Sequence, residues 1–396
     1  MISLLPPFPA EFVWAAAIAV AWLSGELCHR WAALPRISGY GIAGFSMAAS
    51  QGGFLPNPSG TPLALLASFA MALILFELGY RVHFPWLRRN PWLGMMGVLE
   101  ALGTFAAVYW VGWMWGLSPL VATLLAALSM STSPAVVLRV SNELRSAGQV
   151  TDRLVHLTAM DSVLAILFFK AAVAYVVLTS DVGIFPALWH TLLVLAFSAG
   201  LGALFAVVVP AILRSLAVAD QDATVAFAIA VLLLTALTHA LQYSPLVAAM
   251  VFGLVSRHRR VLFGQAQRNF GALGEVLTVW LFVFVTATLQ WIPVVEGMAL
   301  AVAIIAMRLA VKVGVTALLA RPSGIPLRKG IWTGVAMAPM SALAILLLEQ
   351  TKPLQLPVLE QLPAIAAMTL VLEIFGPIVT RYALVHCGDA DHRGAP

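Results

Sequence analysis

The chain has 396 residues, 61% of them hydrophobic and 10% charged, with a mean hydropathy of +0.96. Soluble domains carry about 25% charged residues, so this composition excludes a water-soluble enzyme and describes a polytopic membrane protein. Lys and Arg outnumber Asp and Glu by 22 to 17, a net charge of +5; in such a protein the excess marks one set of loops, not a nucleic-acid surface.

In chain order, apolar runs separated by charged or Pro/Gly-rich joints predict about 13 transmembrane helices. They fall near 10–30, 36–51, 62–82, 92–115, 119–139, 153–178, 184–212, 222–243, 244–256, 269–291, 294–320, 328–350 and 361–385. The joints are short, so one transmembrane domain is expected over 1–396, with no soluble regulatory domain. Cys28 and Cys387 make no disulfide framework. Met1 to Pro9 lacks the basic start of a cleavable signal peptide. No His/Cys cluster has zinc-ligand spacing, and no cofactor is expected.

Alternate joints hold 18 of the 22 basic residues, among them Arg81, Arg88 and Arg89, then Arg139, Arg145 and Arg153, then Arg257, Arg259, Arg260 and Arg268. The positive-inside rule then predicts an outer N-terminus and a cytoplasmic C-terminus. With that topology, spans over about 10–178 and 222–385 run in opposite senses around a linker helix at about 184–212. Inverted repeats of this kind mark secondary transporters, which bind their cargo at broken helices near the bilayer midplane. One matched pair supports the expectation: Pro134 among small residues in the fifth span and Pro339 among small residues in the twelfth. Each proline removes a backbone hydrogen bond in mid-span, and irregular backbone there is tolerated only where it lines protein or a cavity.

Charged residues inside spans are costly, about 2.5–3.5 kcal/mol each on insertion scales. Asp161 lies eight residues past Arg153, roughly 12 Å along a helix and close to the midplane. Arg308 is central in the eleventh span, with Lys312 one turn later on the same face. Glu373 is central in the last span, while Glu77 and Glu100 sit nearer the basic ends of theirs. Arg308 reads either as a permanent cation that steadies the site or as the partner of Glu77 or Glu373. An ion pair with Arg308 is the purely structural reading of Asp161, and Glu373 and Glu100 read as structural. His156, five residues before Asp161, is a possible pH sensor or an ordinary core histidine. A carboxylate pulled upward by burial and downward by a neighbouring cation can exchange a proton for a metal ion.

Several segments together resemble a known family. Leu34-Pro35-Arg36-Ile37-Ser38-Gly39-Tyr40 with Ile42-Ala43-Gly44 resembles the entry motif of Kef-type sodium/proton exchangers. LFELGYRVHFPWLR from Leu75, STSPAVVLRVSNEL, LTAMDSVLAIL and EIFGPIVTRYAL resemble later motifs, so the resemblance covers nearly the whole chain. It implies membership of the monovalent cation:proton antiporter superfamily: a 13-helix homodimer in the cell inner membrane with an elevator-like core. Asp161 matches the essential ion-binding aspartate of that family, Thr132 and Ser133 its unwound chain, and Arg308 its basic core residue. Met160 departs from the pattern, because the family usually has a polar residue there.

The function expected is electroneutral antiport of Na⁺ or K⁺ against H⁺. Asp161 is the expected ligand of both ions, and hydroxyls or carbonyls around Thr132, Ser133 and Ser341 complete an oxygen shell; Arg308, Lys312 and Glu373 would support the core. Two rival functions make different demands. A sodium-coupled symporter of an organic anion would need a deep polar pocket beside the crossing. An intramembrane enzyme would need a second acid at matching spacing, or a Ser/His arrangement.

Overall fold

Lipid offers no hydrogen bonds, so each backbone polar group in a spanning segment needs a partner within the protein, and this chain meets that demand with helices. The computed structural model describes residues 10–56, 58, 61–177, 184–215, 220–258, 270–354 and 362–390. The helices open with α1 (Ala10–Ala32), α2 (Arg36–Met47), α3 (Thr61–Arg81), a short α4 (Phe84–Arg89) and α5 (Pro91–Met114). Next come α6 (Pro119–Met130), α7 (Pro134–Glu143), α8 (Gln149–Val177), α9 (Ile184–Ser215), α10 (Asp220–Ala240) and α11 (Pro245–His258). The last are α12 (Gly271–Ala287), α13 (Trp291–Leu318), α14 (Leu327–Ala336), α15 (Leu343–Thr351) and α16 (Pro363–His386).

Eight of these, α1, α3, α5, α8, α9, α10, α13 and α16, are long and apolar enough to cross a membrane unaided. The pairs α6/α7 and α14/α15 are each one predicted span cut by an irregular segment, at 131–133 and 337–342. With α2, α11 and α12, the described residues supply all 13 expected segments. Most of the basic joint that includes Arg259, Arg260 and Arg268 lies outside the described residues.

Helices in lipid gain little from burying apolar surface against one another, so close packing at small residues has to do more of the work. The crossing of α3 and α11 shows this directly: a Cβ on Gly79 would collide with the Met250 carbonyl, and one on Gly253 with the Phe76 carbonyl. Around α13, the neighbours are α5, α14 and α16, while α8 packs on α5, α6 and α7. α2 lies between α12 and α16. These contacts bring both breaks, α8 and the charged face of α13 to one place.

Candidate ion-binding site

Each break is built from the residues that stop and restart its helix. Met130 ends α6, Ser131 is extended (φ −69°, ψ 129°), and Ser133 is the N-cap of α7, its Oγ accepting from Val136 N at 3.4 Å. Pro134 then occupies the first helical position, where its missing N–H costs nothing. In the second break Ser341 Oγ accepts from Leu343 N at 3.1 Å as α15 begins. The two breaks touch: Thr132 and Met340 form an antiparallel bridge, and Ser133 N donates to Pro339 O at 3.1 Å. Gly376 of α16 closes the crossing from behind, since a Cβ there would come within 2.9 Å of the Pro339 Cα.

Arg308 reaches into this crossing from α13, 1% exposed. Its guanidinium donates to four main-chain carbonyls: Ser129 O at 2.7 Å, Ser131 O at 2.8 Å, Pro339 O at 3.1 Å and Ala338 O. Those carbonyls lie at or just beyond the C-termini of α6 and α14, where the helix dipoles concentrate negative charge. One permanent cation therefore neutralises both half-helix ends and ties the breaks together. The expected ion pairs of Arg308 with Asp161, Glu77 or Glu373 are absent. Carbonyls take four of its five N–H donors, and Glu77 is held instead by Arg81 at 2.8 Å.

Lys312, one turn further along α13, takes the place beside the acids. Its Nζ donates to Asp161 Oδ2 at 3.0 Å, to Thr132 Oγ1 at 3.1 Å, to Met130 O at 3.2 Å and to Glu100 Oε1. Thr132 Oγ1 donates to the same Asp161 oxygen at 2.7 Å, and Thr104 Oγ1 donates to Glu100 Oε1 at 3.1 Å. Lys312, Asp161 and Glu100 are all fully buried. The remaining carboxylate oxygens, Asp161 Oδ1 and Glu100 Oε2, are buried and have no hydrogen-bond partner. One ammonium thus faces two carboxylates, and one oxygen of each stays open.

Several expectations change here. The structure joins Asp161, Thr132 and Lys312, but no hydrogen bond links the Ser133 or Ser341 hydroxyl to Asp161; the Ser133 hydroxyl caps α7, and the Ser341 hydroxyl accepts from Leu343 N. Glu373 supports no ion pair: it is 1% exposed, neither carboxylate oxygen has a partner, and its Cβ lies beside Gly41 of α2. Glu100, read from the sequence as a structural acid, meets Lys312 beside Asp161. The i, i+4 pairing of Glu100 with Thr104 on an apolar helix was the available signal. His156 is locked rather than free, with Nδ1 against Asp152 O at 2.7 Å and Nε2 accepting from His83 N at 2.9 Å. Met160 packs on α5, where a Cβ on Gly97 would meet its sulfur.

No curated protein matches the chain. Two structures of the sodium proton antiporter MjNhaP1 from Methanocaldococcus jannaschii share the fold. One, determined at pH 8, superposes with a TM-score of 0.67 at 15% identity, covering 95% of each chain. The other, from electron microscopy, gives 0.69 at 16% identity over 96% of each chain. The sequence model of the transmembrane sodium/hydrogen exchangers matches residues 15–385, and the chain belongs to that family of transporters.

Proposed function

We propose that the protein exchanges Na⁺ or K⁺ for H⁺ at one site centred on Asp161. The observation that carries this reading is the unequal state of the two Asp161 oxygens: Thr132 and Lys312 hold Oδ2, while buried Oδ1 has no partner. A hard monovalent cation seeks oxygen ligands, and Oδ1, Glu100 Oε2 and the carbonyls of the breaks offer them. A proton on Asp161 satisfies the same carboxylate without a cation. Glu100 and Lys312 form the fixed partners of this exchange, and Arg308 the strut behind it.

An elevator-like movement suits this construction, because Arg308 binds both breaks to α13 so that they travel as one piece. The motif resemblance supports a Kef-type branch and a homodimer in the cell inner membrane, and the distribution of basic residues supports an outer N-terminus. An organic-anion symporter would need a polar pocket beside the crossing, whereas the polar cavity of about 330 Å³ lies near the end of α7. Its arginines are already engaged, Arg139 with Thr278 and the Gly274 carbonyl, Arg36 with Glu26.

The test is proton movement in proteoliposomes on adding Na⁺, K⁺ or Li⁺ in turn. The parent protein is expected to give saturable exchange with at least one cation. Asp161→Asn keeps the shape and the hydrogen-bonding capacity, and is expected to remain folded but inactive. Exchange retained in Asp161→Asn would remove Asp161 from its proposed role.

A further inference from the structure

On the side of α8 away from the breaks, a cavity of about 280 Å³ opens between α3, α4, α5, α8 and α11. Val82, Leu87, Met160, Leu164 and Leu254 supply its walls, and His156 is the one residue with a polar side chain among those lining it. Both His156 ring nitrogens are already bonded to backbone, so the cavity presents no free donor or acceptor. A buried water needs two to four polar partners, which this space does not offer; its chemistry is that of a hydrocarbon chain. The cavity is also elongated. His156 and Leu164 are eight residues apart on α8, roughly 12 Å along the helix axis.

The rim at the Leu87 end is basic. Phe84 is 51% exposed at the start of α4, and Leu87 points into the cavity. Arg88 and Arg89 follow directly, exposed and without a hydrogen bond or ion pair among the described residues. Across the opening, Arg257 stands one turn beyond Leu254, its guanidinium 5.4 Å from the Tyr80 ring centroid and bonded to His83. Asp152 is the nearby acid. An apolar slot that ends at three arginines matches a molecule with a long apolar tail and a negative head. A short helix with exposed Phe and Arg side by side is the form expected at a membrane interface.

We propose that this cavity holds one acyl chain of an anionic phospholipid, with its phosphate on Arg88, Arg89 and Arg257. The occupant would touch both Met160, the neighbour of Asp161, and the α3–α11 pair, so bound lipid joins the helix of the ion site to its surroundings. A neutral lipid fits the walls but gains nothing from the rim. The site is independent of which cation the protein moves.

The test uses the purified full-length protein in detergent, stripped of lipid and then titrated with phosphatidylglycerol or with phosphatidylcholine of identical chains. Native mass spectrometry counts retained lipids, and thermal melting reads stabilisation. The parent is expected to retain one phosphatidylglycerol in preference to phosphatidylcholine and to melt at a higher temperature with it. Arg88→Gln with Arg89→Gln, both on exposed positions that leave the fold intact, should weaken phosphatidylglycerol retention about tenfold or more and leave phosphatidylcholine unchanged. Leu164→Trp fills the slot and should lower retention of both lipids. Equal retention of the two lipids by the parent, or unchanged phosphatidylglycerol retention in either variant, would overturn the proposal.

Discussion

Arg308 and Lys312 stand one turn apart on the same helix, yet their surroundings assign them different work. Arg308 offers a planar fork of five donors and meets four carbonyls, a geometry that an ammonium cannot reproduce. Arg308→Ala strands those carbonyls in the interior, and removing one partner of a buried charged network costs about 3–5 kcal/mol. A lower melting temperature and poor yield in detergent are expected, with Arg308→Lys falling between Ala and the parent. An Arg308→Ala protein that melts like the parent but does not transport would move Arg308 from strut to ion path. Glu373 poses the opposite case, a buried carboxyl with neither oxygen bonded. Glutamine has nearly the same shape and no charge to bury. Glu373→Gln is therefore expected to fold and melt no lower than the parent, which differential scanning fluorimetry checks; a fall of several degrees would mean that a partner for the carboxylate had been lost.

At the scale of whole elements, α8 depends on a cap from far away in sequence. Asp389 accepts from Val150 N at 2.8 Å and Thr151 N at 2.9 Å, while its own carbonyl accepts from Ala147 N at 2.9 Å. Lys329 stands 3.4 Å from its second oxygen. The first turn of the helix that carries Asp161 is thus closed by the chain after α16. Removing a side-chain cap costs about 0.5–2 kcal/mol, and Asp389→Ala is expected to lower the stability by that order in a thermal melt. Asp389→Asn, which still accepts from the amides, should recover part of the loss. This contact was not legible in the sequence, because a capping residue is recognisable only beside its own helix. The breaks were legible for the converse reason: Pro134 and Pro339 act on their own turns, whatever packs around them. The cluster was half legible. Lys312 and Arg308 share a face, but which of them meets the acids depends on how far α13 slides past α5 and α8. Carbonyl clamps leave no mark on composition at all, so the four partners of Arg308 could not be read in advance.

For the whole molecule, the fold is shared with an antiporter only 15–16% identical over nearly the full length, so hydrophobic spacing and packing, more than residue identity, carry the fold. They do not carry the charge accounting that sets how voltage acts on transport. Met160 leaves one carboxylate on α8 at this depth, but Glu100 brings a second acid from α5. Electroneutral exchange then requires that Glu100 and Lys312 keep their charges throughout, as a pair of zero net charge. Asp161 alone then alternates between H⁺ and a monovalent cation, and both loaded forms carry the same charge across. If Lys312 instead released its proton whenever the cation arrived, the two forms would differ by one charge. Moving that charge through the field is worth about 2.3 kcal/mol per 100 mV, enough to change a rate up to about fiftyfold. Initial rates in liposomes clamped at 0 and −100 mV with valinomycin and graded Rb⁺, or with a protonophore-free K⁺ clamp if K⁺ is not cargo, separate the two cases. The expected result is a rate that changes less than about twofold. Glu100→Gln gives the complementary readout. It leaves Lys312 with Asp161 as its only carboxylate partner, so the ammonium competes more strongly with the cation for that carboxylate. The apparent cation requirement should rise about tenfold or more, the effect of 1.4 kcal/mol of added competition. An unchanged cation requirement in Glu100→Gln, or a steep dependence on potential in the parent, would show that Lys312 gives up its proton during the cycle.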